Sequence, residues 1–232
     1  MKTIGLIGGM SWESSIEYYR IINEVTKTKL GGLHSAKSVM YSVDFAEVEI
    51  LQHQGRWAEA AEMLIQAAKS LENGGADFIV LCTNTMHKVA EGIQDNVSIP
   101  FLHIADATAQ RVKTSGVQTV GLLGTRFTME EGFYKNRLEQ KYGLRVYVPD
   151  AEDREIVHRV IYDELVIGKI EQHAKEKYLG IIEQMVDRGA EGIILGCTEI
   201  GLLIHPGDSH VPLFDTTRIH AETAVEYALE RP

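Results

Sequence analysis

Short, unbroken apolar runs punctuate the chain at regular intervals. Ile4-Gly5-Leu6-Ile7, Phe78-Ile79-Val80-Leu81, Val120-Gly121-Leu122-Leu123 and Ile193-Ile194-Leu195 carry no alternating polar positions. Strands that read this way are covered on both faces, as in a parallel sheet flanked by helices. Strands are expected near 2–8, 38–43, 77–82 and 100–103, and again near 118–123, 145–148, 192–195 and 213–214. Between them apolar residues recur at helical spacing. Ile16, Tyr19, Ile22 and Val25 form one such stripe and Leu64, Ala67, Ala68 and Leu71 another, with Gly74 as a stop. The later helices are expected near 131–141, 153–166, 170–188 and 216–229.

The pattern also repeats. Gly75-Ala76-Asp77-Phe78-Ile79-Val80-Leu81-Cys82-Thr83-Asn84 lies on Gly189-Ala190-Glu191-Gly192-Ile193-Ile194-Leu195-Gly196-Cys197-Thr198 with apolar, acidic and glycine positions in step. Thr3-Ile4-Gly5-Leu6-Ile7-Gly8 lies on Thr119-Val120-Gly121-Leu122-Leu123-Gly124, and Ile99-Pro100 on Val211-Pro212. Three blocks in one order at nearly constant separation describe two copies of one unit. The expected architecture is α/β: two pseudo-symmetric Rossmann-like halves with parallel sheets and the active site in the cleft between them. The boundaries are placed at 1–103 plus 215–232 for one half and 104–214 for the other. Open parallel sheets bind ligands at the carboxyl ends of their strands. The candidate residues should therefore follow strands, and Gly8-Gly9-Met10-Ser11, Thr83-Asn84-Thr85, Gly124-Thr125-Arg126 and Cys197-Thr198-Glu199 all do.

Composition narrows the function classes. At 232 residues, 44% hydrophobic and 24% charged, the chain reads as a soluble globular protein. A formal net charge of −10 without a basic run argues against nucleic acid or an anionic membrane as partner. The chain enters its first strand directly, without a secretory signal pattern, so a cytoplasmic location is expected. Two cysteines without clustered histidines do not make a zinc site, and the spacings of nucleotide-binding loops are absent. The Gly8-Gly9 pair is expected to let backbone approach a ligand anion.

Cys197 sits where a buried strand gives way to a polar loop, and nearby backbone N–H groups would favour its thiolate. Cysteine titrates near pH ~8.5, so a modest depression would make it a usable base. Position alone leaves open a buried structural cysteine. The repeat sets Thr83, not Cys82, against Cys197; Cys82 aligns with Gly196 and reads as a small buried side chain. Proton exchange at a chiral carbon needs one group on each face, and two homologous halves supply that arrangement. Ser11, Asn84, Thr85 and Thr198 offer hydrogen bonds for an α-carboxylate and α-amino group, although turn and cap roles suit the same residues. His87, one turn beyond Thr83, orients the site or caps a helix.

Gly5-Leu6-Ile7-Gly8-Gly9-Met10-Ser11, Asn84-Thr85-Met86-His87 and Leu195-Gly196-Cys197-Thr198-Glu199 together resemble the three signatures of the aspartate/glutamate racemase family. The resemblance spans essentially the whole chain. It implies a cofactor-independent amino-acid racemase without pyridoxal phosphate or metal, a homodimer, and an amino acid as the small-molecule partner. Catalysis would fall to Cys197 and Thr83, and substrate binding to Met10, Ser11, Gln52, Asn84, Thr85, Thr198 and Glu199. The family's first motif has cysteine before Asn-Thr, whereas here that position is Thr83. The cysteine that acts on the L-enantiomer corresponds to Cys197, so L-substrates are expected to be favoured. Aspartate-selective members carry an Arg in the loop after the second strand and a Lys in a second-half helix; by this resemblance the corresponding stretches here are Val48-Glu49-Ile50-Leu51-Gln52 and Tyr162-Asp163-Glu164-Leu165-Val166, which contain no basic residue. Broad specificity is expected. Rival readings are a related proton-transfer enzyme (a hydantoin racemase, maleate isomerase or decarboxylase) and a noncatalytic amino-acid-binding protein.

Overall fold

A computed structural model describes residues 1–230. In chain order the first elements are β1 (Ile4–Gly8), α1 (Trp12–Leu30), β2 (Ser38–Ser42), α2 (Phe45–His53), α3 (Trp57–Asn73), β3 (Phe78–Leu81), α4 (Ala90–Gln94) and β4 (Phe101–Leu102). They form a parallel sheet in the order β2-β1-β3-β4. After α5 (Ile104–Thr114) come β5 (Thr119–Gly124), α6 (Arg126–Glu130), α7 (Gly132–Asn136), β6 (Arg145–Tyr147), α8 (Ala151–Asp163), α9 (Gln172–Asp187), β7 (Gly192–Gly196), α10 (Ile200–Leu203), β8 (Leu213–Asp215) and α11 (Thr216–Leu229). The second sheet is parallel in the equivalent order, β6-β5-β7-β8. The repeat in the sequence is thus a repeat of topology. Two compact units result: Met1–Ile104 with the chain from His220, and Ala105–Ile219.

In each unit the two central strands are buried along their whole length, which is why they carry no alternating pattern. One face of the first sheet packs Ile7, Ile79 and Leu81 against Leu64, Ala67, Ala68 and Leu71 of α3. The other packs Ile4, Leu6, Phe78, Val80 and Cys82 against Tyr18, Ile21 and Ile22 of α1 and Ala221, Ala224, Val225 and Ala228 of α11. Among the described residues, no helix is long and apolar enough to cross a membrane.

The helix expected over 131–141 is built differently. The Thr125 side chain accepts the Thr128 N–H at 3.3 Å, so helix starts directly after β5, at Arg126. Glu131 is extended and interrupts it, α7 follows, and Arg137–Lys141 closes as a π-turn. The stretch read as a loop after β2 is helix α2. Asp44 caps it by accepting the Ala46 N–H at 3.0 Å, and Val48, Leu51 and Gln52 share its buried face at i, i+3 and i+4.

His220 of α11 is fully buried in the first unit. Its Nε2–H donates to the Leu102 carbonyl at 2.9 Å, and Nδ1 accepts the Tyr18 hydroxyl at 2.9 Å. Burial lowers its pKa from 6.5 to about 4, against a smaller opposing effect of the Leu102 bond. The unfolded chain takes up this proton below about pH 6.5 and the folded chain only near pH 4. The stabilisation from a neutral His220 is therefore present above pH 6.5 and is lost as pH falls through that window, roughly 3 kcal/mol in all. The thermal midpoint of the wild-type chain should fall more steeply between these pH values than that of a His220→Gln chain. Equal slopes would contradict this.

Candidate functional site

In the first unit the candidate residues gather where β1 and β3 end. The chain leaves β1 through Gly9 at φ +95°, and a Cβ there would collide with the Val43 backbone. A Cβ on Gly8 would lie 2.7 Å from Ser15 Oγ. The space that a side chain would take at both glycines is filled by the protein itself. Met10 and Ser11 are buried. Ser11 caps α1, its Oγ accepting the Ser14 N–H at 3.4 Å and its carbonyl accepting the Ser15 hydroxyl at 2.8 Å.

Beyond β3, Thr83, Asn84 and Thr85 are all buried, and a 3₁₀ turn over Thr85–Val89 follows. Gln52, carried in by α2, is buried with its amide 3.0 Å from Met86 Sδ, so α2 is brought onto this loop. His87 is also buried, with Nδ1 2.7 Å from the Thr83 carbonyl and Nε2 3.1 Å from the Ile104 N–H. Cys82 lies in the apolar core beside α1 and α11, where burial pushes its thiol far above the ordinary range.

In the second unit β5 and β7 end together. Gly196 is required there, because a Cβ would sit 2.7 Å from the Leu123 carbonyl of the neighbouring strand. Cys197, Thr198 and Glu199 follow, all buried. One oxygen of Glu199, Oε2, accepts hydrogen bonds from Cys197 Sγ at 2.9 Å and Thr198 Oγ1 at 2.8 Å. From α11 the Thr217 hydroxyl reaches the Thr198 carbonyl at 3.4 Å, and Thr216 donates to the Leu195 carbonyl at 2.8 Å. Neither threonine stands out in the sequence. Arg126 pairs with Glu155 at 3.7 Å on the surface.

These contacts reverse the expectation of an acidified thiol. Burial pushes the Cys197 pKa well above the ordinary cysteine range, and the Glu199 charge and hydrogen bond add to it. Backbone N–H groups of Glu199 and Thr198 pull the other way but are outweighed. At rest Cys197 is a thiol donating to a carboxylate. Glu199→Gln removes both contributions of Glu199, so the pH midpoint for alkylation of Cys197 by iodoacetamide should fall. An unchanged midpoint would contradict the pairing.

Among the described residues, no group of three or more His, Cys, Asp or Glu side chains could hold a metal ion. The arrangement offers a paired thiol and carboxylate on one unit, and a buried hydroxyl among amide and hydroxyl groups on the other.

Residues 7–224 match the sequence profile of the Asp/Glu/Hydantoin racemase family. The broad specificity amino-acid racemase RacX of Bacillus subtilis (strain 168) is 27% identical over 175 residues, which span 72% of this chain and 71% of that protein. An aspartate racemase homologue from Pyrococcus horikoshii OT3 superposes with a TM-score of 0.86 at 38% identity, covering 99% of this chain and 100% of its own. A candidate Asp/Glu racemase from Yersinia pestis reaches a TM-score of 0.92 at 55% identity over the same shares of the two chains. The chain belongs to the Asp/Glu/Hydantoin racemase family.

Proposed function

We propose that the protein interconverts L- and D-amino acids without a cofactor, taking the α-proton with Cys197 on one face and returning one from Thr83 on the other. The observation that carries this reading is the Cys197–Glu199 pair at 2.9 Å. A thiol held protonated beside a carboxylate is not yet a base. An arriving α-ammonium group placed against Glu199 offsets the charge that keeps Cys197 protonated. The thiol proton then leaves to water, the thiolate removes the α-proton and is a thiol again, and the electron pair left at Cα delocalises into the substrate carboxylate. Protonation on the opposite face completes inversion, with the Thr83 hydroxyl as donor, directly or through one water that restores its proton. Ser11, Asn84, Thr85 and Thr198 supply donors for the substrate carboxylate, with Met10 and Gln52 bordering the side chain.

Substrate breadth follows from what the side-chain stretches carry. Val48–Gln52 and Tyr162–Val166 contain no Arg or Lys, and Gln52 is a neutral group that α2 sets against the loop beyond β3. The enzyme is proposed to accept neutral side chains beside aspartate and glutamate. Incubating metal-free, pyridoxal-free protein with L-aspartate, L-glutamate, L-homoserine and L-methionine, with chiral chromatography of the products, tests this. Inversion of more than the acidic pair is expected. Loss of all activity on removing carbonyl cofactors or metals would overturn the chemistry, and strict acidic selectivity the breadth.

The family resemblance also implies a homodimer. Trp12 and Tyr19 are 62% and 55% exposed, with Ile16 between them on α1, beside Met40 on the edge strand β2. An apolar strip of this kind suits a second copy. Sedimentation should give a dimer, and Ile16→Glu with Tyr19→Glu a monomer; a wild-type monomer would refute the pairing.

A further inference from the structure

We propose that His87 is a positioning residue that fixes the Thr83 hydroxyl for proton transfer, an inference that rests on the Thr83 role proposed above. The ring is bonded at both nitrogens, and the partners settle which one carries the proton. The Ile104 N–H can only donate, so Nε2, 3.1 Å away, is unprotonated. A neutral ring then holds its proton on Nδ1 and donates it to the Thr83 carbonyl at 2.7 Å. His87 is a spacer of fixed length between the loop after β3 and the first turn of α5.

The ring itself is held. It meets Phe101, His103 and His220 edge-on, with centroids at 5.5, 4.5 and 6.0 Å. β3 ends at Leu81, so no strand partner serves the Thr83 carbonyl. The Thr83 N–H meanwhile donates to the Leu81 carbonyl at 2.9 Å. With both backbone groups of Thr83 tied, the direction of its Cα–Cβ bond is set, and a β-branched side chain has few rotamers left. A hydroxyl that returns a proton to one face of a carbon needs such constraint, since misplacement by about 1 Å costs on the order of 10²-fold in rate.

Two substitutions separate the arms of the ring. Asn at position 87 places an amide N–H near Nδ1 and nothing at Nε2; Gln places an amide oxygen near Nε2 and nothing at Nδ1. His87→Asn should keep kcat near wild type, whereas His87→Gln should lose about 10- to 100-fold in kcat with KM little changed. In a Thr83→Ala background the His87→Gln substitution should have no further effect. Equal kcat for the two single variants, or losses that multiply fully in the double variant, would overturn the positioning role while leaving that of Thr83 intact. A fully active Thr83→Ala chain would overturn both. Should a variant fail to fold, nitrogen NMR of the wild-type ring decides: protonation at Nδ1 alone is expected, and an Nε2–H tautomer would overturn the proposal.

Discussion

Cys197→Ala is expected to abolish racemisation in both directions, by about 10³-fold or more, while the chain stays folded. The substitution removes the thiol proposed to exchange the α-proton. The structural cost is small. Cys197 is small, and the carboxylate to which it donates, Glu199, keeps the Thr198 hydroxyl as donor. Cys82→Ala supplies the control. Its sulfur is packed among Ile4, Leu6, Tyr18 and Val80, so truncation leaves a void and costs about 1 kcal/mol of stability. Activity should persist. Circular dichroism with chiral product analysis checks both variants, and an active Cys197→Ala beside a dead Cys82→Ala would show that the two units have been matched in the wrong register.

The second large effect concerns Thr83. In the proposed mechanism a thiol on one face and a hydroxyl on the other leave one usable base, since an alcohol is far harder to ionise than a thiol. The enantiomers have equal free energy in water, so kcat/KM must be equal in the two directions. The asymmetry therefore appears in kcat and KM separately, with kcat higher from the L side. Thr83→Cys restores a second thiol and should raise kcat from the D side by about 10-fold or more. Thr83→Ala should lower turnover from either enantiomer. If Thr83→Cys leaves the direction preference unchanged while Thr83→Ala is fully active, Thr83 transfers no proton.

Much of the fold was legible because both units bury their central strands on two faces. Ile4–Ile7 and Ile193–Leu195 then read as unbroken apolar runs, and glycine and cysteine positions align between the copies. Helix α2 escaped because its buried face includes Gln52, a polar residue that breaks the apolar stripe, while the cap that starts it, Asp44, is a single short side chain. The start of α6 escaped for a similar reason: Thr125 caps it immediately after β5, leaving no loop to announce it.

The position of Cys197 was legible, but its proton affinity was not. Sequence shows that Glu199 stands two residues on; it does not show that the carboxylate folds back onto the sulfur and outweighs the backbone donors. His87 is a comparable case. Its spacing from Thr83 points to a contact, yet the Ile104 N–H that fixes its tautomer belongs to a different element. Gly8 and Gly9 were legible as tight backbone, and what they make room for, Ser15 and Val43, is set by tertiary packing.

The two-face mechanism is tested most directly by racemising an L-substrate in deuterated water and examining each enantiomer at the earliest measurable conversion. With one monoprotic group per face, the proton taken by Cys197 is not the one delivered from the Thr83 side. D-product should therefore carry solvent deuterium at Cα from its first appearance, while the remaining L-substrate keeps its protium. D-product that retains the substrate's own proton would mean a single group serving both faces, and would contradict the account.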